Sequence, residues 1–431
     1  MNTHTYDIII VGGGIAGLYT AYSLLQKNKK YSILLLEKSA RCGGRIFTYR
    51  KQGMQVEMGA GRISYTHTRV NKLIKELQLD SFKYTIPSKI DNILVTPSNK
   101  PKQYKHVRQN ETLDIPTLFS LIISKSKRYK KQTLVDMTFQ QLVKKVLSAD
   151  AYSFFMDAYE YKADIQVCNA HDYIRLYKLD FSRSNKFFVL TCGLDTITTK
   201  LYKHLRNKIT LKNNTTCTDI YYHKQTKVFT VNNKYSSKQI VLALPQAAID
   251  TLGVCKYTSC NKMIKSVKSL PLTRIYAKYP KDKDTKKVWF YNMNKVTTNK
   301  KIKYIIPVDQ DKGIIMISYT DGKESDFWGS MRRDDKKVKK KLKKELKKEL
   351  DILFPDIHIP EPTNIIVGYW KEGVHFFKPS CSSSNIAPKI LQPFTDRKLY
   401  ICGEAYSKHQ AWIEGALETA DKIVTRIHRH S

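Results

Sequence analysis

Residues Ile8-Ile9-Ile10-Val11-Gly12-Gly13-Gly14-Ile15-Ala16-Gly17 decide the fold. Four consecutive apolar residues read as a short parallel strand buried on both faces. The glycines that follow form Gly-x-Gly-x-x-Gly, and Leu18 to Leu25 continue as an apolar helix. The motif carries meaning only between a strand and a helix, which is where it stands here. Gly12 permits the tight turn. Gly14 lets the backbone approach a pyrophosphate, and Gly17 lets the helix pack closely on the strand. Ile15 and Ala16 open the helix, whose free amides and dipole favour phosphate. A second strand, Tyr31 to Leu36, ends in Glu37, twenty residues after Gly17, where a carboxylate accepts ribose hydroxyls. The stretch predicts a dinucleotide-binding α/β unit.

The rest of the chain is compatible with a large enzyme. Its 431 residues suffice for two to three domains of ~150 residues. With 42% hydrophobic residues, 14 Pro and 18 Gly, it is neither collagen-like nor compositionally disordered. The net charge of +37 invites a nucleic-acid partner. However, 59 of the basic residues are Lys and only 16 are Arg, in a chain also rich in Asn, Ile and Tyr. That is the composition of an AT-rich coding sequence, and no nucleic-acid-reading motif accompanies it, so nucleic acid is not expected as a partner. No stretch reaches the ~18 apolar residues of a membrane span. The apolar start lacks a charged leader region, so no signal peptide is expected. The eight cysteines are scattered without a Cys-x-x-Cys pair, which suggests no zinc or other metal site and no disulfide framework. A reducing, cytoplasmic setting follows. One charge run, Arg332 to Lys348, carries Val338, Leu342, Leu346 and Leu350 at four-residue spacing. This reads as a solvated helix lying on the protein body through one narrow apolar stripe.

After the Rossmann acid comes Glu37-Lys38-Ser39-Ala40-Arg41-Cys42-Gly43-Gly44-Arg45. Amides at Gly43 and Gly44 can approach a flavin or its phosphates, and Arg41 and Arg45 add fixed positive charge. Here the chain resembles the flavin amine oxidase superfamily, which carries Arg-x-Gly-Gly-Arg at this point. The superfamily includes monoamine, polyamine and L-amino acid oxidases, protoporphyrinogen oxidases and carotenoid desaturases. The resemblance runs nearly end to end. Cys192-Gly193-Leu194-Asp195 resembles the family's Gly-Gly-Met-Asp segment. Lys208 to Ile220 and Val228 to Val231 resemble the strands near the adenine, where the backbone at Cys217 would touch it. Ile240 to Pro245 resembles the strand that closes that layer. Leu399 to Glu404 and Trp412 to Ala416 resemble the last FAD motif, in which Gly403 and Glu404 meet the phosphate and ribityl region and the helix at Ile413 faces the flavin. The resemblance implies a non-covalent FAD and an α/β fold. A discontinuous Rossmann-like FAD-binding domain (1–69, 190–264, 391–431) would carry an α+β substrate domain with a helical part (70–189, 265–390).

The segment Glu57-Met58-Gly59-Ala60-Gly61-Arg62 bears on the substrate. Gly59, Ala60, Gly61 and Arg62 fall in the flavin-contacting stretch of the family, and Arg62 matches the Arg with which L-amino acid oxidases clamp the substrate carboxylate. Two parallel hydrogen bonds from a guanidinium would fix a carboxylate's orientation. The competing reading pairs Arg62 with a local acid such as Glu57. The resemblance implies hydride transfer from the α-carbon to flavin N5, imine hydrolysis, and reoxidation by O2 to H2O2. The strongly positive chain disfavours a polyamine only slightly. Family oxidases carry a Lys near flavin N5. Leu272-Thr273-Arg274-Ile275-Tyr276-Ala277-Lys278 resembles that strand, and either Arg274 or Lys278 occupies the position. Aromatic walls are expected from Trp412, beside Ala411, and from Trp370, Phe376 and Phe377. No Cys lies between 369 and 377, so a thioether link is not expected, nor is a histidyl link at His375. Other readings are a polyamine or monoamine oxidase, a dehydrogenase with a non-O2 acceptor, a desaturase-type oxidase, a nucleic-acid-associated flavoprotein and an inactive flavin binder. The oligomeric state is open, a homodimer included.

Overall fold

The computed structural model describes residues 4–87, 92–97, 102–180, 185–256 and 259–429. Within the expected FAD-binding segments, residues 1–3, 257–258 and 430–431 lie outside these. The glycine stretch sits between strand His4–Val11 and helix Ile15–Lys27. The strand begins four residues earlier than its apolar core, because His4 to Tyr6 pair with Tyr235 to Ser237. The next strand is Ile33–Leu36, shorter than expected. These strands join a seven-stranded sheet with Tyr235–Leu242, Lys398–Ile401, Thr210–Lys212, Ile220–His223 and Val228–Val231. Its central strands are parallel and end in step: Val11 is level with Leu36 and with Leu242, and Leu242 with Ile401. The carboxyl edge therefore presents Gly12, Glu37, Ala243 and Cys402-Gly403 side by side. Ligands of parallel α/β sheets bind at this edge, because the strands deliver helix N-termini there.

A six-stranded second sheet runs Asn364–Phe377, Val267–Lys278, Ile314–Asp321, Tyr304–Asp309, Lys295–Thr298 and Asn92–Val95. The helices Ile115–Ser126, Lys131–Val135, Phe139–Val146, Ala149–Ala158, Lys162–Val167 and Ala170–Asp180 pack around their own core of Phe119, Phe139, Phe155 and Tyr173. Their starts are written locally. Asp114 and Ser148 cap by accepting backbone amides, and Thr138 and Gln141 form a reciprocal capping box.

The basic run folds as helix Lys336–Leu353, capped by Asp335. Leu342, Leu346, Leu350 and Leu353 are buried against the second sheet's far face, and Val338 is half-buried. Each buried leucine contributes ~1.5–3 kcal/mol, enough to hold a helix whose lysines add no packing. One expectation is corrected: Cys255 and Cys260 form a disulfide. Their spacing carries no Cys-x-x-Cys signal, but their Cα atoms stand 5.1 Å apart. No helix among the described residues is long and apolar enough to cross a membrane.

Candidate functional site

The glycine loop is shaped by close backbone approach. Gly12 adopts φ +106°, and a Cβ there would overlap the Ala243 carbonyl. A Cβ at Gly17 would strike the Gly12 carbonyl, so helix and strand meet only through glycine. At Gly14, by contrast, a Cβ would meet nothing within 4 Å. Open space therefore fronts the N-terminus of helix Ile15–Lys27, and room with free amides is what a pyrophosphate needs. Glu37 borders that space. Its carboxylate accepts from Gly13 N at 2.8 Å and Ser39 N at 2.9 Å. Gly43 N donates to Gly13 O at 2.8 Å, which binds the second glycine pair to the first loop. Lys38 is exposed. Arg41 folds back on its own loop, donating to Gly44 O at 2.7 Å with its guanidinium over the Phe47 ring. Asn214 and Thr215 run beside Ser39 and Glu37 through backbone bonds, which brings Cys217 toward the same edge. Burial pushes the Cys42 and Cys217 thiols up to about 12, so neither is a thiolate.

Across the edge, Glu404 gathers three partners. Arg45 Nη1 donates at 2.5 Å, His375 Nδ1 lies 2.6 Å away, and Ala411 N donates at 3.1 Å. Burial would raise this carboxyl, but Arg45 and His375 hold it down at about 2. His375 is fully buried, and its Nε2 stands 3.6 Å from Glu372. Burial would lower its pKa, yet the charge of Glu404, its hydrogen bond to Glu404 and the nearby Glu372 carboxylate raise it. Arg45 also donates to Gly373 O at 2.8 Å. One ion-pair network thus ties the arginine-glycine loop to strand Asn364–Phe377 and to the Gly403-Glu404 turn.

The second sheet delivers the remaining candidates. A Cβ on Gly59 would overlap Arg45 O, and one on Gly61 would overlap the Arg274 guanidinium. Arg274 donates to Glu57 O at 3.1 Å, beside Tyr276 Oη at 2.7 Å from the same carbonyl. Its guanidinium lies 4.8 Å from the Tyr319 ring centroid. Lys278 shares that strand face but reaches the Gly53 hairpin turn, four residues or about 13 Å along the strand. The structure therefore brings Arg274, and not Lys278, to Gly59–Gly61. Glu57 is engaged by Thr48 Oγ1 and Leu194 N. Arg62 lies 4.4 Å from the Phe187 ring and 5.8 Å from the Trp412 ring, and these two rings stack at 5.8 Å. Burial opposes the charge on Arg62, but Tyr161, Tyr304, Tyr319 and Glu160 outweigh it and raise its pKa.

The aromatic candidates separate. Trp412 joins Arg62. Trp370 donates its indole N–H to Met58 O at 2.7 Å, beside Gly59. Ala411, at φ +68°, serves Glu404 through its amide. Phe376 is 3% exposed and packs into the helical core with Tyr173, and Phe377 is fully buried under the first sheet. Sequence reading missed the tyrosines. Tyr161 meets Tyr319 at 5.8 Å and Tyr319 meets Tyr304 at 6.2 Å, forming an aromatic wall beside Arg274. The only available signal was Tyr159-Glu160-Tyr161, an acid between tyrosines. Helix Ile413–Arg429 begins directly after Trp412, and its Glu414 accepts Arg69 N and Val70 N, capping helix Thr68–Glu76.

The open front of Gly14, Glu37 bordering it, and an uncrowded Gly403 fit the phosphates and ribose of a dinucleotide. That cradle lies on the carboxyl edge of a parallel sheet, with charged and aromatic groups from a second sheet turned toward it. The combination defines the two-part fold of a flavin-type oxidoreductase. The chain belongs to the flavin containing amine oxidoreductase family, whose sequence profile matches residues 15–428. Amine oxidase [flavin-containing] A from Canis lupus familiaris is 33% identical over 88 residues, 20% of this chain and 16% of that protein. The matches to amine oxidase A thus span about a sixth of those relatives' length. L-amino-acid oxidase from Crotalus adamanteus is 21% identical over 469 residues, covering 98% of this chain and 87% of the relative. Among solved structures, a triple mutant of putrescine oxidase has TM-score 0.74 at 15% identity, covering all of both chains. A protoporphyrinogen oxidase from Exiguobacterium sp. 255-15, itself described as putative, has TM-score 0.71 at 14% identity, also over both whole chains. At these identities the likeness is one of fold. Family membership implies a flavin cofactor.

Proposed function

We propose that this protein is an FAD-dependent amine oxidase whose substrate is an L-amino acid. The observation that carries the reading is Arg62, braced by Phe187 and Trp412 and facing the tyrosine wall beside Arg274. A half-buried guanidinium placed there can hold a carboxylate at fixed orientation. When bound, FAD supplies the hydride-accepting and O2-reactive chemistry, and the chain supplies position and charge. Glu37, Lys38, Gly12–Gly17, the 41–45 loop and the Cys217 backbone would hold the nucleotide half. Gly59–Gly61, Gly403, Glu404, Ala411 and the start of helix Ile413–Arg429 would hold the flavin half. Arg62 binds the carboxylate and leaves the α-amine free, and the tyrosines and Trp370 exclude water. Arg274 stays protonated and so acts by charge alone, not as a base. It favours negative charge developing next to Gly61. The FAD is non-covalent, since His375 is buried and its Nδ1 is engaged by Glu404. The segments 1–69, 190–264 and 391–431 form the cofactor domain, and the remainder forms the substrate domain. Six of the eight cysteines stay free, which supports a cytoplasmic setting, with the Cys255–Cys260 pair as the exception.

The test is anaerobic mixing with L-amino acids, polyamines and monoamines, read as flavin bleaching. Bleaching by at least one L-amino acid is expected. Arg62→Ala removes two charge-assisted hydrogen bonds at ~1.5–3 kcal/mol each, so kcat/KM for amino acids falls about a hundredfold or more. Simple amines are affected far less. Equal losses on both substrate classes, or bleaching by polyamines alone, overturn the carboxylate clamp. A second reading, a dehydrogenase with another acceptor, is favoured by Arg274 standing where the family carries Lys. Reduced enzyme that reoxidises with quinone dyes but not with O2 would establish it.

A further inference from the structure

Behind the Arg62–Trp412 wall lies a cluster with no part in amine oxidation. His67 Nε2 is 3.1 Å from Asp180 Oδ1, and His409 Nε2 is 2.8 Å from the same oxygen. The three candidate donor atoms lie within 4.8 Å of one another. The side chains of His67 and Asp180 are 1% and 0% exposed, and that of His409 is 17% exposed. Asp180 Oδ2 is buried and has no hydrogen-bond partner among the described residues. A fully buried carboxylate with one orphaned oxygen is poorly explained by packing.

We propose that His67, Asp180 and His409 form a binding site for a divalent first-row transition ion of the Zn²⁺ class. Two imidazoles and a carboxylate with an open fourth position are a common donor set for such ions, and Asp180 Oδ2 is free to complete it or to hold a bound water. A tetrahedral ion needs donors roughly 3.3 Å apart. His409 stands in the 403–412 turn, so a small inward movement of that turn supplies the difference. Metal binding displaces the protons that now join both rings to Asp180. It also gives up the long 3.4 Å bond from Ser64 N to His67 Nδ1. The consequence reaches the substrate side. His67 packs edge-on against Trp412 at 4.9 Å and against His409 at 5.1 Å. An ion here pins three separate segments, the turn before helix Thr68–Glu76, helix Ala170–Asp180 and the 403–412 turn, and with them the indole that braces Arg62.

The experiment titrates purified holoenzyme, stripped with chelator, with Zn²⁺ against a chromogenic competitor, with Mg²⁺ as control. One Zn²⁺ per chain is expected, with no response to Mg²⁺. His409→Gln alters the least buried donor and is expected to fold. It should weaken Zn²⁺ at least tenfold, and Asp180→Asn should do the same. Occupancy should also change Trp fluorescence in wild type but not in His409→Gln. No stoichiometric Zn²⁺ in wild type overturns the proposal, as does equal affinity in wild type and His409→Gln, which would place the ion on surface histidines. None of these readouts requires amine oxidation, so they stand or fall apart from the substrate assignment.

Discussion

Glu404→Gln probes the network that joins the two halves of the cofactor site. The substitution keeps side-chain shape and leaves an acceptor for Ala411 N, but it removes the negative charge between Arg45 and His375. A carboxyl lowered from its ordinary 4.5 to about 2 on folding contributes on the order of 3 kcal/mol at neutral pH. The sign follows from the direction of the shift. Because the folded pKa is depressed, the contribution is complete above pH 4.5 and is lost as pH falls toward 2. His375 is shifted the other way, so its share of the same pairing is present below its ordinary 6.5 and fades as pH rises through its folded value. The stability gap between wild type and variant should therefore be widest between about pH 5 and pH 6.5. Urea unfolding of cofactor-free protein, followed by tryptophan fluorescence from pH 3 to 9, measures it. Wild type should exceed the variant by about 3 kcal/mol at pH 6, with the gap closing by about 1.4 kcal/mol per pH unit below 4.5. A gap under about 1 kcal/mol at pH 6, or one unchanged down to pH 3, refutes the ion-pair account.

Gly12→Ala should yield protein without bound flavin, since the new methyl overlaps the Ala243 carbonyl at a φ of +106°; a normal ratio of flavin to protein absorbance would contradict this. Arg274→Met should slow reoxidation of the reduced flavin tenfold or more in stopped flow, whereas Lys278→Met should not, because Lys278 reaches Gly53 instead. The opposite pattern would reinstate Lys278. Burial, with Lys162 nearby, pushes Lys303 down to about 7, so folding gains stability as pH rises from 7 toward 10.5. Lys303→Met should therefore stabilise the protein at pH 6 by about 1–4 kcal/mol, and the advantage should shrink toward pH 10. A thermal-unfolding series in which the gain is flat or grows with pH would count against this.

The backbone cradle at the glycine loop was legible because it is written in consecutive residues. Gly12 to Gly17 and Glu37 carry their meaning in spacing, since a turn, a helix N-terminus and a strand end are local events. Asp335, Thr138 and Ser148 announce helix starts for the same reason. The spacing of Leu342, Leu346 and Leu350 likewise gave the inward face of the basic helix, and the lysine excess proved to be solvent surface there. The disulfide was missed because a five-residue separation matches no cysteine motif, and the pairing depends on a Cα–Cα distance of 5.1 Å that spacing does not encode.

The surroundings of Arg62 and Arg274 were decided in three dimensions. Arg274 and Lys278 point to the same face of one strand, and no pattern in the chain separates them. The hairpin packed across that face does, setting Glu57 and Gly61 against one and Gly53 against the other. Trp370, Phe376 and Trp412 are equally aromatic in sequence, yet only Trp412 meets Arg62, while Phe376 fills the helical core. His67, Asp180 and His409 lie up to 342 positions apart and carry no shared motif. Sequence by itself determined the backbone cradle, because local conformation and backbone amides suffice to build it. Tertiary structure alone determined which charged and aromatic side chains share a space, because their energies depend on distance and burial rather than on order along the chain.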